Sequence, residues 1–352
     1  QGLPPKYGGH CRNLSEPPKG KEPQVIRFKM PEVKVEFKDV IRGTVAFDAS
    51  LFGDIAIAKD IKSPFHHLAV VVDDEEMRVS HVIRGEDLLS NTPRQILLQR
   101  ALGFREPTYA HLPLILNADR SKLSKRFAET SLLDYKRQGY LPEAVVNFCA
   151  FLGWHPKGDR EVFSPDELIG EFDLKRVQKA GAVFDVKKLE WLQKKHLEKL
   201  SDKEIVNKLR PVLEAAGITT TTKAFLTNVV SVERERITTF GDFADTAGFF
   251  FQLPEYQPTL LAWQKEDLSK VKIVLEKTAK ILDGLEEFKK NTIGEALAPL
   301  IEQEGRGSVF WPLRAALSGL PASPDPMEIA EILGKKEVLR RLGIAIEKLR
   351  NV

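Results

Sequence analysis

An α/β segment followed by an all-α remainder is the architecture this sequence predicts, and three observations predict it. A continuous apolar run at residues 68–72 and two apolar-rich stretches at 79–83 and 109–116 fall in the first third of the chain, each followed by charged or polar residues. Runs of that length and β-branched content suit strands buried in a parallel sheet. Between the second and third runs, Thr92 can cap a helix with Pro93 at its first position, and Gly103 stops it. Strand, helix and strand therefore alternate, as in half of a doubly wound fold, where ligands sit beyond the carboxyl ends of strands. From Ser131 onward only helical patterns remain.

The residues before this region read differently. Residues 24–28 and 41–47 look like strands, and Val33, Val35 and Phe37 alternate with charged neighbours between them. Residues 48–61 continue the pattern. Such pieces are antiparallel and half exposed, and suit a small insertion more than a main core. At residues 68–72 the texture changes to a buried strand, which Asp73-Asp74-Glu75-Glu76 would end in solvent.

Helix signals then follow in order. Residues 142–152 form an apolar helix ended by Gly153. Ser164-Pro165-Asp166-Glu167 is a capping box with proline in the first turn, and Ser201 with Glu204 is another. Asp185 caps a helix carrying Leu189, Leu192, His196 and Leu200. The helix after Ser201 ends near Gly217, with Pro211 bending it. Residues 219–222 read as a loop. Two more helix groups cover residues 223–251 and 267–349, with a hinge expected at residues 253–258.

Composition bounds the function. A chain of 352 residues exceeds one ordinary core, so two or three domains are expected. Hydrophobic content of 42% and charged content of 29% are those of a globular protein in water. Two cysteines, Cys11 and Cys149, cannot build a disulfide framework or a four-ligand metal site within the chain; Cys149 is expected to be packed in its apolar segment. No signal pattern or membrane-length apolar run occurs, so the expectation is a cytoplasmic protein with no membrane contact. The net charge of +3 neither requires nor excludes nucleic acid.

The chemistry concentrates in two stretches. Ser121-Lys122-Leu123-Ser124-Lys125-Arg126 gathers three cations and two hydroxyls after a buried strand, a composition suited to polyphosphate. On its own this hexapeptide is equally well a solvated basic turn. Arg84, Glu86 and Asp87 stand at a strand end, where an arginine can grip a carboxylate and an acid can accept from an amine or a ribose; a structural ion pair is the competing reading. Together the two stretches suggest a nucleotide with an anionic co-substrate, a chemistry that needs placement and charge neutralisation more than covalent help. His66-His67 would point to opposite faces of a strand and cannot share a metal. No glycine-rich phosphate loop, nucleophile elbow or zinc pattern is present.

The run His81-Val82-Ile83-Arg84-Gly85-Glu86-Asp87-Leu88-Leu89-Ser90-Asn91-Thr92-Pro93-Arg94-Gln95, followed by Lys122-Leu123-Ser124-Lys125-Arg126, resembles bacterial-type glutamyl-tRNA synthetase. Further matches are Gly139-Tyr140-Leu141-Pro142-Glu143-Ala144, Phe184-Asp185 with Lys188-Leu189, and Pro312-Leu313-Arg314-Ala315-Ala316-Leu317-Ser318-Gly319. The resemblance implies a class I aminoacyl-tRNA synthetase that activates L-glutamate with ATP and Mg²⁺ and transfers it to tRNA(Glu). Lys125 would be the phosphate-stabilising lysine, with Lys122 beside it as a second catalytic cation. Lys125 and Asp87 would serve ATP, and Arg84 would hold the glutamate side chain. His66 falls where the family usually carries a tyrosine at the glutamate. Arg236 and Arg314 are the candidates for anticodon bases, with surface pairing to Glu233 or Glu235 as the competing role for Arg236.

The resemblance also implies an organisation. Residues 1–62 would be a remnant of the inserted acceptor-binding domain, and 63–130 the second half of the Rossmann-type catalytic domain. Residues 131–200 would be a helical stem-contact domain, with helical anticodon-binding domains at 201–258 and 259–352. The class I His-x-Gly-His signature is absent from the sequence. The chain is thus expected to be a C-terminal portion that binds tRNA and is catalytically incomplete alone. A monomer is expected; zinc stays undecided, since Cys11 can be one ligand of a larger set. The competing readings are a non-catalytic tRNA-binding fragment or paralogue, another nucleotidyl transferase acting on a small acid, and a glutamyl transferase for modified tRNA bases. The long helical remainder disfavours the last two.

Overall fold

The structure is a computed structural model and describes residues 7–16, 19–20, 24–123, 131–218 and 221–350. These fall into two compact units, one from residues 1–128 and 146–186, the other from 129–145 and 187–352.

In the first unit, β1 (Ile26–Phe28), β2 (Lys34–Asp39), β3 (Gly43–Asp48), β4 (Ile55–Asp60) and β5 (Ser63–Pro64) come first. Next come α1 (His66–Glu76), β6 (His81–Gly85), α2 (Thr92–Leu102), β7 (Thr108–Leu112) and β8 (Ile115–Leu116). The main sheet has the order β3-β2-β7-β6, with β6 and β7 parallel and β2 antiparallel to β3. The expected insertion thus shares its sheet with the parallel pair: β2 meets β7 in parallel at Asp39 and Tyr109. Alternation explains why. Val35 and Phe37 turn inward from β2 and close one core with Met30, Ile96, Leu97 and Tyr109. Burying that shared apolar face, at about 25 cal/mol per Å² removed from water, holds the hairpin against the parallel pair.

Residues 68–72, expected as a strand, are helical in α1. A short apolar run does not by itself distinguish a buried strand from a helix. Here only Val71 is fully enclosed, and α1 lies against α2 and β4, so a single side needs covering. Asp73 to Glu76 form its last turn. The third strand is also interrupted: Pro113 and Leu114 separate β7 from β8. Thr92 does not cap α2, because a 3₁₀ turn over Glu86–Asn91 leads straight into it and leaves the hydroxyl free for other use. Gly103 does end α2, in the left-handed conformation at φ 74°.

Beyond β8 lie α3 (Leu132–Arg137), α4 (Pro142–Phe151), α5 (Pro165–Glu171) and β9 (Ala182–Val183), which pairs in parallel with β8. Both halves of the Ser164 capping box form. Trp154, Phe163, Leu168 and Val177 enclose a second core with Ile41 and Ala110. Cys149, expected to be packed, lies on the exposed side of α4.

The second unit is helical: α6 (Val186–Leu197), α7 (Asp202–Ala215), α8 (Lys223–Glu233), α9 (Phe243–Ala247), α10 (Leu268–Asp283), α11 (Lys290–Glu304), α12 (Arg306–Ser318), α13 (Pro326–Leu333) and α14 (Lys335–Lys348). The Ser201 capping box forms, and α7 continues through Pro211. One continuous core runs from Leu141 to Leu349. The hinge expected at residues 253–258 is seated in it, with Tyr256 only 7% exposed. Gly139 lies in a tight crossing within this unit. Its φ is +77°, and an added Cβ would stand 2.6 Å from the backbone nitrogen of Gly241. Gly139→Ala is therefore expected to destabilise the protein by roughly 2–4 kcal/mol in urea unfolding, from left-handed strain and overpacking together.

Candidate active site

The register of β6 on β7 sets Arg84 directly beside His111. The Arg84 guanidinium is half-buried and held by neutral groups. Its Nε donates to His111 Nε2 at 3.2 Å, and its Nη2 to Thr92 Oγ1 at 2.9 Å and Gln95 Oε1 at 2.7 Å. The Tyr109 ring stands 5.7 Å from its carbon. Burial lowers its pKa, against the opposing pull of Tyr109 and Asp74. Among the described residues no carboxylate pairs with it. A half-buried cation left without its counter-ion is costly, and such a group is a candidate seat for an anionic ligand.

The neighbouring acids have different duties. Glu86 takes the structural role: Arg42 Nη2 lies 2.5 Å from its Oε2, and Leu114 N–H donates to Oε1 at 3.1 Å. Asp87 is exposed and meets Lys122 Nζ at 3.3 Å, so the strand end and the lysine loop come together. Both partners are about half exposed or more, and such a pair contributes little stability and is easily exchanged. The stem of that loop is ordered by local bonds, Asn117 N–H to Ser121 O and Leu123 N–H to Ile115 O. Lys125, with Ser124 and Arg126, lies outside the described residues.

His66 is exposed at the start of α1 and makes no hydrogen bond with Arg84. On a helix, His66 and His67 do not oppose each other as they would on a strand; their rings lie 5.6 Å apart. His67 is the half-buried member. Burial, then the charges of Arg94, His66 and Arg84, hold it below the ordinary imidazole range. Sequence reasoning also passed over Asp39, His111 and Gln95. An acid at the third inward position of β2, after Val35 and Phe37, was the available signal.

In the helical unit, Arg236 Nε lies 3.0 Å from Glu233 Oε2 and its Nη2 donates to Ala322 O at 3.3 Å. The competing reading of Arg236 as an ion-pair partner is thus realised. Arg314 on α12 is half-buried, and its Nε has no acceptor among the described residues; the buried hydroxyl of Ser323 is likewise unpartnered. Among the described residues no group of three or more His, Cys, Asp or Glu side chains is placed to hold a metal ion. Nor is any described helix long and apolar enough to cross a membrane.

Comparison with known proteins identifies the family. Residues 3–191 match the family of class I tRNA synthetases (E and Q), catalytic domain, and residues 204–346 match an anticodon binding domain. The chain is 39% identical to glutamate–tRNA ligase 2 of Thermoanaerobacter pseudethanolicus over 100% of its own length and 76% of the relative's. It belongs to the glutamate–tRNA ligases. Glutamate–tRNA ligase 1 of Alkalilimnicola ehrlichii is 38% identical, over 97% of this chain and 73% of the relative. A crystal structure of a glutamate tRNA ligase from Elizabethkingia meningosepticum, in complex with its amino acid, is similar with a TM-score of 0.80. It is 34% identical and covers 92% of this chain and 68% of the other. As in that family, an α/β catalytic domain precedes helical anticodon-binding structure.

Glu233 in this ligase is fully enclosed, and burial raises its pKa from 4.5 to about 7 against the pull of Arg236. The unfolded chain releases that proton near 4.5 and the folded one holds it, so stability falls as pH rises from 4.5 to about 7. Glu233→Gln is expected to flatten that decline by roughly 2 kcal/mol, read from unfolding midpoints across the window.

Proposed function

We propose that Arg84 selects the side-chain carboxylate of L-glutamate for ATP-dependent attachment to tRNA(Glu) through a glutamyl-adenylate. The observation that carries this reading is the half-buried guanidinium that, among the described residues, is held by neutral groups, at a strand end where Asp87 meets Lys122. A fork of donors fixed on one side accepts a carboxylate on the other, and rejects the neutral amide of glutamine for want of charge. In the first step an α-carboxylate oxygen of glutamate forms a bond to the α-phosphorus of ATP, and pyrophosphate leaves. In the second, a ribose hydroxyl of the terminal adenosine takes the acyl group and AMP leaves. Lys122 and Lys125 neutralise charge on the phosphates, and Asp87 lies on the ATP side. Mg²⁺ accompanies the triphosphate, since such sites use phosphate oxygens and water rather than an all-protein cage. His66, exposed at the start of α1, keeps its place in this reading as a donor toward glutamate. Zinc has no ready ligand set among the described residues.

The helical unit reads the anticodon, with Arg314 and Arg236 as the contacting residues; Arg314 has the stronger support, because it sits in the motif at residues 312–319 while Arg236 is paired with Glu233. Domain limits at 62, 130, 200 and 258, a monomeric state and a cytoplasmic setting belong to the same reading. So does catalytic incompleteness. The sequence carries no His-x-Gly-His tetrapeptide, so a source of phosphate ligation that class I chemistry uses is missing from these 352 residues. The absence of that motif also favours the second reading, a chain that binds tRNA without catalysis.

Three measurements test the proposal. In equilibrium dialysis with labelled glutamate, Arg84→Gln should weaken retention at least about tenfold, the loss expected for charge-assisted hydrogen bonds; unchanged retention refutes the role of Arg84. ATP–pyrophosphate exchange by this chain alone, with cognate tRNA present, should stay at background, and robust turnover refutes incompleteness. Arg314→Ala should weaken binding of cognate tRNA more than of a tRNA with an altered anticodon. Equal losses would mean phosphate contact only.

A further inference from the structure

Asp39 on β2, His111 on β7 and Arg84 on β6 form one line of contact across three strands, and the chemistry above uses only the last of them. The side chains of Asp39 and His111 are both 0% exposed. The Asp39 carboxylate accepts backbone N–H groups from Ile41 at 2.9 Å, Arg42 at 2.8 Å and His111 at 3.1 Å. It also lies 2.6 Å from His111 Nδ1. An ionised carboxylate only accepts, so this contact requires the ring proton on Nδ1. Nε2 then offers its lone pair. An arginine nitrogen only donates, and Arg84 Nε stands 3.2 Å away, so the neutral ring is the state in which the contact attracts. Thr92 Oγ1 lies 3.1 Å from the same Nε2 while accepting from Arg84 Nη2. With Nε and Nη2 both held, the plane of the guanidinium is set, and Nη1 has no hydrogen-bond partner among the described residues.

We infer that Asp39 and His111 are positioning residues for Arg84: the enclosed carboxylate holds the imidazole in its neutral Nδ1–H form, and Nε2 fixes the plane of the guanidinium that meets the amino acid's carboxylate. The substrate half rests on the reading of Arg84 given above, and the positioning half does not. A purely structural Asp39–His111 pair would leave the orientation of Arg84 indifferent to which end of the ring is altered.

The charges around the ring support the neutral form. Burial lowers the His111 pKa; Asp39 opposes this, while Arg84 and Arg42 add to it. Tyr109 flanks the ring on the same strand, and Asp74 and His67 on α1 share the field of Arg84. A base held below its usual value of 6.5 keeps its contribution above that pH and loses it as pH falls. Protonation would then set an Nε2–H against the Arg84 Nε–H.

Two replacements separate the two ends of the ring. His111→Asn keeps a donor toward Asp39 and removes the acceptor facing Arg84; His111→Gln does the reverse. With isotope-labelled arginine and no added amino acid, exchange of the Arg84 Nε proton with water is measured in the 352-residue chain. The wild type should be protected at least about tenfold relative to exposed arginines. His111→Asn should lose that protection, His111→Gln should keep it, and the wild type should keep it through pH 6.5 and lose it only at lower pH, where the depressed imidazole takes up its proton. Equal exchange in all three proteins overturns the inference. A second readout needs no variant: nitrogen–proton correlation spectra of His111 near neutral pH should show Nδ1 protonated and Nε2 bare, and a proton on Nε2 overturns it. Glutamate binding by wild type and Arg84→Gln is followed in parallel. Unchanged binding there overturns the substrate half, while the Nε exchange decides positioning by itself.

Discussion

The first unit is arranged around a positive charge, Arg84, that no carboxylate among the described residues pairs with directly. Arg84 is drawn half into the protein at the end of a parallel strand, where burial disfavours its charge, yet its partners are an imidazole, a hydroxyl and an amide. Three of the acids nearby are engaged elsewhere, Glu86 with Arg42, Asp87 with Lys122 and Asp39 with His111, and Asp74 acts on Arg84 through its field without a direct bond. Removing a counter-ion from a buried cation costs several kcal/mol, so a fold that does so gains only where an external anion completes the site. A negatively charged amino acid side chain is such an anion.

The scaffold that keeps this charge in place is built from pieces far apart in the chain. β2 supplies Asp39, β7 supplies His111 and Tyr109, β6 supplies Arg84, and the start of α2 supplies Thr92 and Gln95. The sheet order β3-β2-β7-β6 places the first three side by side. Sites carried on strands and helix starts hold geometry better than sites on loops, and a guanidinium aimed within tenths of an ångström depends on that. Lys122, just after β8, is of the opposite kind: an exposed lysine is a mobile point charge without a fixed aim.

Local signals were the legible ones. The Ser164 and Ser201 capping boxes and the Gly103 stop are spelled within four residues each and form as read. Residues 68–72 misled because five apolar side chains carry no period, and only the neighbours α2 and β4 decide that one side, not two, is covered. Thr92 misled for a related reason: its cap-like setting is overridden by the preceding 3₁₀ turn, and the hydroxyl goes to Arg84. Arg84, Asp87 and Lys122 were legible from motif and charge, and the structure joins the last two at 3.3 Å. Asp39 and His111 were not, because their partnership spans 72 residues and shows only as polar side chains on inward-facing positions. Arg236 shows the limit from the other side, since its pairing with the enclosed Glu233 depends on burial that composition does not reveal.

The central claim is that the open edge of the Arg84 guanidinium is a seat for a carboxylate. Its most direct measurement follows the guanidinium resonances of Arg84 while L-glutamate, and separately L-glutamine, is titrated into the protein. The account predicts a saturating displacement of those resonances with glutamate and none with glutamine at the same concentrations. An identical response to both, or a response to neither, would contradict it.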